Sequence, residues 1–141
     1  MTSLTLDQAQ RIIAAALHAS ASAGYKPMAI SVLDAAGHIK ACASEDGASM
    51  FRLDVAQAKA WGAIGMGVSS RILAQRAKDN PTFFVSLAAT AHGKFLAQTG
   101  AVVIKDHQGN VVGAVGASGG SGDEDEAIGI AGILAIGLRH G

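Results

Sequence analysis

The chain is poor in the residues on which several large classes of function depend. It has one cysteine, Cys42, so neither an intrachain disulfide nor a cysteine-built zinc site can form. Only 4 % of its residues are aromatic, too few for platforms that stack nucleic-acid bases. There is no surplus of either charge: 11 Lys and Arg balance 11 Asp and Glu, whereas affinity for nucleic acid or anionic membranes rests on excess positive charge. No long apolar run is present. The best candidate, residues 127–138, is twelve residues between Asp123-Glu124-Asp125-Glu126 and Arg139, where a membrane span needs about 20. The first ten residues include Asp7 and lack a basic segment leading into an apolar core, so no signal peptide is expected and a soluble, cytoplasmic protein is. No Gly-x-Ser-x-Gly elbow or Gly-Lys-Ser/Thr loop occurs. The histidines at 18, 38, 92, 107 and 140 are never three or four apart, as a helical zinc site would require.

What the chain does have is apolar, small-residue composition. Half its residues are hydrophobic, 16 % are charged and 18 are glycine, with a mean hydropathy of +0.32; such a chain folds. At 141 residues it makes one domain. A domain this small has a high surface-to-volume ratio and ought to need more polar surface than this, so self-association is expected.

Local patterns give the element order. Thr5-Leu6-Asp7-Gln8 is a capping box, and Ala9, Ile12, Ile13, Ala16 and Leu17 follow at helical spacing, so a first helix should end by Gly24. Residues 28–33 and 39–44 read as strands joined by the turn Asp34-Ala35-Ala36-Gly37-His38. A second helix is expected from Met50 to about Gly65 and a third from Ser69 or Ser70 through Ala77, ended by Asn80-Pro81. Residues 81–93 mix strand-like and helix-like signals and are assigned as irregular or helical. Strands at 101–106 and 110–117 flank the turn Asp106-His107-Gln108-Gly109, in an echo of the first hairpin. A last helix is expected from Asp123 to about Leu138. The result is one α+β domain over residues 1–141, two antiparallel hairpins covered by helices.

Four features could carry chemistry. The glycine-rich strand-to-helix turn at 113–122 brings backbone close to a ligand, but Asp123-Glu124-Asp125-Glu126 in the following first turn would repel an anion while complementing the helix dipole. Asp123 and Glu126 share a helix face and could hold a metal through oxygen, or simply stabilise the helix start. Arg52 and Lys59 are two turns apart on one helix face, and Lys59 lies in an otherwise apolar stretch, so it either snorkels to solvent or points into a cleft as a fixed cation. His92, beside Gly93, is the histidine best placed to reach a pocket. Cys42, in Ala41-Cys42-Ala43, is expected to be a buried, inert thiol.

Taken in order, Val32-Leu33-Asp34-Ala35-Ala36-Gly37-His38, Asp46-Gly47-Ala48, Ala56-Gln57-Ala58-Lys59-Ala60 and Gly113-Ala114-Val115-Gly116-Ala117-Ser118-Gly119, with Asp125-Glu126 before Ala131-Gly132, resemble the GlcG/HbpS-like family. This family includes the C-terminal domain of some PduO proteins. The resemblance runs over nearly the whole chain. It implies a profilin-like α+β fold, homo-oligomers that are often octamers, and haem or corrinoid binding in some members. It sets Lys59 on the family's Lys-Ala helix motif, Ser118 and Gly119 on its Ser-Gly turn, with Gly120 beside them, and Asp125 on the acid that follows; Asp123 to Glu126 fits a pattern linked to iron. Two positions depart from the pattern: Thr99-Gly100-Ala101-Val102 stands where Gly-Gly and a Pro are usual, and Glu45 precedes Asp46-Gly47 where a basic or Met-like residue is usual.

Two functions follow as expectations. One is a small-molecule-binding protein, with haem or a related tetrapyrrole as ligand and Arg52, Lys59, Ser118, Gly119 and Gly120 around it. The other is an accessory enzyme (isomerase, lyase or hydrolase) acting on a small carboxylate or aromatic acid. There Arg52 or Lys59 would hold the anion and Asp125 or His92 would move a proton.

Overall fold

The computed structural model describes residues 3–141. The elements run α1 (Leu6–Ala23), β1 (Ala29–Asp34), β2 (Ile39–Ser44), α2 (Phe51–Met66), α3 (Ser70–Asp79), α4 (Pro81–Thr90), β3 (Ala101–Lys105), β4 (Val111–Ser118), α5 (Gly122–Ala135) and β5 (Arg139–His140). The strands form one antiparallel sheet in the order β2-β1-β4-β3-β5. This is an α+β domain. Among the described residues no helix is long and apolar enough to cross a membrane.

Alternation along the central strands sorts the core to two faces. Ile30, Val32, Val102, Ile104 and Val115 pack with Ile12 and Ile13 of α1 and Ile128 and Ile133 of α5. Leu33, Ala101, Val103 and Ala114 point the other way, onto Ala60 and Ala63 of α2. Gly116 sets how close α2 comes, because a Cβ there would run into the Ala56 carbonyl. Burial of both faces explains why β1 and β4 are nearly continuous apolar runs.

The two hairpins echo each other in their hydrogen bonds. Asp34 Oδ1 accepts from the amides of Ala36 and His38, and Asp106 Oδ1 from those of Gln108 and Asn110, all at 2.9–3.0 Å. At the far edge of β3, the Ser70 hydroxyl accepts from Ala101 N at 2.8 Å and that of Ser69 from Val103 N at 3.1 Å. The start of α3 thereby covers strand donors that would otherwise be open.

One open assignment closes and two expectations need correction. Residues 81–90 are helical, with Pro81 in the first turn, where its missing N–H costs nothing. The last helix stops at Ala135, not near Leu138: Gly137, at φ +77, donates to Leu134 O while Leu138 N reaches Ile133 O, a glycine C-cap that ends the helix inside the apolar run. The chain then adds a short strand, β5, on β3. Cys42 is exposed and not buried, because β2 is an edge strand that leaves its outward side chains to solvent.

Candidate functional site

The side chains that converge come from α2, β4 and the start of α5. Lys59 on α2 and Asp125 on α5 are both buried, and Lys59 Nζ lies 3.2 Å from Asp125 Oδ2 and 3.2 Å from the Ala117 carbonyl. Asp125 Oδ1 accepts from Gly120 N at 2.9 Å, so each carboxylate oxygen is engaged. Burial pushes the Asp125 carboxyl above its ordinary pKa, against the opposing pull of the Gly120 amide, Lys59 and Arg52. Seven residues before Lys59, Arg52 extends over the end of β4 and donates to the Ser118 hydroxyl at 3.3 Å.

Gly100 makes room for this arrangement. It sits at φ +138, and a Cβ there would lie 2.7 Å from Lys59 Nζ and 3.0 Å from Ala117 O. Its own carbonyl accepts from Ala117 N. The substituted Thr99-Gly100 step is therefore the floor beneath the buried ammonium.

Arg52, Lys59, Ser118, Gly120 and Asp125 line an open cleft of about 450 Å³, together with Val55, Leu96, Gln98, Thr99 and Asp123. Gly119 is buried beneath it, against Pro27 and Met28, and is not part of the lining. Asp123 and Glu126 both bind the Arg71 guanidinium, which reaches across from α3; Nε lies 3.0 Å from Glu126 Oε2. A metal ion between those carboxylates would have to displace that cation. Among the described residues no three His, Cys, Asp or Glu side chains cluster as a metal site.

His92 is not part of the cleft. It is exposed and takes the left-handed conformation at φ +56 that caps α4, with its amide reaching Ala89 O and that of Gly93 reaching Ala88 O. The same stretch of chain contributes instead through the coil after α4, where Leu96, Gln98 and Thr99 enter the lining. Nothing local in the sequence marks these three, since chain reversal alone brings them there.

A second concavity, with no signal in the histidine spacing, lies between α1 and α5. Arg11, Ala14, Ala15, His18, Ala19, Ala131, Ala135 and Ile136 line an open groove of about 590 Å³. The legible signal was Arg11 and His18 two turns apart with alanines between them, since that spacing puts all of them on one helix face.

Comparison with known proteins agrees with this architecture. The structure of a PduOC–haem complex matches with a TM-score of 0.87 at 23 % identity, over 98 % of each chain. A double mutant of Streptomyces reticuli HbpS matches with a TM-score of 0.83 at 28 % identity, over 97 % of this chain and 89 % of that one. The Klebsiella pneumoniae protein ORFY matches with a TM-score of 0.87 at 21 % identity, over 99 % and 95 %. Among curated proteins none matches by sequence. A family model described as haem degrading protein HbpS-like covers residues 4–134, from the first turn before α1 to the end of α5, and the chain belongs to that family.

Proposed function

We propose that the chain is a small-molecule-binding protein whose ligand is haem or a related tetrapyrrole, held in the groove between α1 and α5. Such a ligand requires an apolar surface for its macrocycle, a nitrogen or sulfur donor for its metal, and a cation for its carboxylates. The Arg52 cleft does not fit it: none of the lining residues is His, Met, Cys or Tyr, and the Lys59 amine is committed to Asp125. The groove has all three. His18 stands exposed among Ala14, Ala15, Ala19, Ala131, Ala135 and Ile136, with Arg11 along the same face. The pair of Arg11 with Asp7, at 3.8 Å and open to solvent, is weak enough to be exchanged for a ligand carboxylate, unlike the buried Lys59–Asp125 pair. Alanine walls let a flat ring approach closely, and the pairing of an imidazole with a guanidinium on such a surface is the observation that carries the reading. The haem bound by PduOC and the description of the family support it.

In this reading His18 would hold the metal of the tetrapyrrole and Arg11 would meet one of its carboxylates. When bound, the group would supply a redox-active metal. Self-association belongs to the same proposal, with a closed homo-oligomer such as an octamer as the form. Met50 (83 % exposed), Val85 (72 %) and Phe51 (66 %) are the most exposed of the large apolar side chains and are open to subunit contacts.

Hemin titration is the test. A sharp Soret band should saturate near one hemin per chain, be lost in His18→Ala and persist in Arg52→Ala. An unchanged band in His18→Ala overturns the assignment.

A further inference from the structure

We propose that the Arg52 cleft is a second binding site, for a small monocarboxylic acid with a hydroxyl or oxo group next to its carboxylate. The proposal does not rest on the tetrapyrrole reading, since the two concavities share no lining residue.

The charge arrangement points to a monoanion. Lys59 is neutralised by Asp125, and Arg71 by Asp123 and Glu126. Arg52 is different: among the described residues it makes no ion pair, and its one hydrogen bond goes to a neutral hydroxyl at 3.3 Å. Its remaining N–H groups form the planar fork that matches a carboxylate. With the other charges of the cleft paired, Arg52 offers one net positive charge, so a second carboxylate on the ligand would find no counter-charge.

The second oxygen is read from Ser118. This residue is 1 % exposed, its hydroxyl accepts from Arg52, and among the described residues its own proton has no acceptor. Arg52 and Ser118 are thus two adjacent donors at the mouth of a buried, fixed ion pair. That is the arrangement for gripping two oxygens on neighbouring carbons. Thr99 and Gln98 add polar groups around them, while Val55 and Leu96 supply an apolar wall for a short carbon chain. At about 450 Å³ the cleft lies within the range of small-ligand sites. The Lys59–Asp125 pair, with each carboxylate oxygen bonded, holds the Ala117 and Gly120 backbone on either side of Ser118 in place; it positions the site and leaves Arg52 to bind.

The experiment is isothermal titration of the intact protein with lactate, pyruvate, propionate and succinate. Lactate or pyruvate should bind saturably at one per chain. Propionate, which lacks the second oxygen, and succinate, which carries a second charge, should each bind about tenfold or more weakly. Arg52→Ala should abolish binding and Arg52→Lys should restore it only in part, because an ammonium lacks the fork. Ser118→Ala should remove the preference for lactate over propionate while leaving propionate affinity in place. His18→Ala should bind lactate as wild type does, which separates this site from the tetrapyrrole groove. Circular dichroism of each variant must match wild type, and Arg52→Lys serves as the folded control if Arg52→Ala does not. The proposal is overturned if none of the acids binds saturably, if Arg52→Ala or, where that does not fold, Arg52→Lys binds lactate as tightly as wild type, or if propionate equals lactate.

Discussion

Replacing Asp125 by an amide, Asp125→Asn, gives the sharpest test of how the buried ion pair is built. The Lys59 and Asp125 side chains are 6 % and 3 % exposed, so the substitution leaves an ammonium buried with only neutral partners. Removing one member of such a pair costs about 3–5 kcal/mol, because the survivor keeps its desolvation penalty and loses its counter-charge. Against a total stability of about 5–15 kcal/mol this is a large fraction, and for a chain of this length it lowers Tm by about 10–20 °C. Lys59→Met behaves differently. The carboxylate left behind can take a proton, and burial already favours its neutral form. With its folded pKa raised above the unfolded value, Asp125 binds its proton more tightly in the folded state. The Lys59→Met defect is therefore full above the folded pKa and shrinks as pH falls through it. Asp125→Asn has no such recovery. The double variant removes both charges while the introduced amide oxygen can still accept from Gly120, so it should be more stable than Asp125→Asn alone, with a coupling of about 2 kcal/mol. Urea denaturation of the four proteins at two pH values reads all of this. An Asp125→Asn cost below about 1 kcal/mol, or a Lys59→Met defect indifferent to acid, refutes the reasoning.

Gly100→Ala should destabilise the protein by about 1–3 kcal/mol from backbone strain alone, and by more if Lys59 cannot move aside; a thermal melt equal to wild type would mean the close approach at 2.7 Å is relieved at no cost. Hydrogen bonds from the Asn110 amide, with further ones from the Asn110 side chain and Gln108, hold Asp106 below its ordinary value of 3.8. Its stabilising contribution is therefore complete above that value and disappears as pH falls through the lowered one, so Asp106→Asn should flatten the acid limb of a stability–pH curve. Cys42, on the exposed side of β2, should react stoichiometrically with a thiol reagent without denaturant; a requirement for urea would return it to the interior.

The first-helix boundaries were legible because they are local. Thr5 and Gln8 satisfy each other's orphan amides, and that spacing is visible in the sequence. The hairpins were legible for the same reason, since Asp34 and Asp106 each bind amides within four residues of themselves. The end of the last helix is hidden in the sequence because the apolar run continues past Gly137, and a single glycine overrides that pattern only through its backbone. β5 carries no pattern of its own at two residues; it exists because Ile104 and Lys105 offer it an edge. The exposure of Cys42 is not legible locally, because small apolar neighbours look alike in a central strand and an edge strand and only the sheet order separates them.

By itself the sequence determined the first three helices and the four strands of the two hairpins, one α+β domain, and that Arg52 and Lys59 share a helix face, all consequences of interactions spanning a few residues. Only the tertiary structure decided that Lys59 turns inward to Asp125, 66 residues away, that Arg71 takes Asp123 and Glu126, and that His18 meets α5 across an alanine groove. Whether a charge is neutralised or left free depends on which partners the packing brings within reach, and partners distant in sequence leave no periodic trace in either segment.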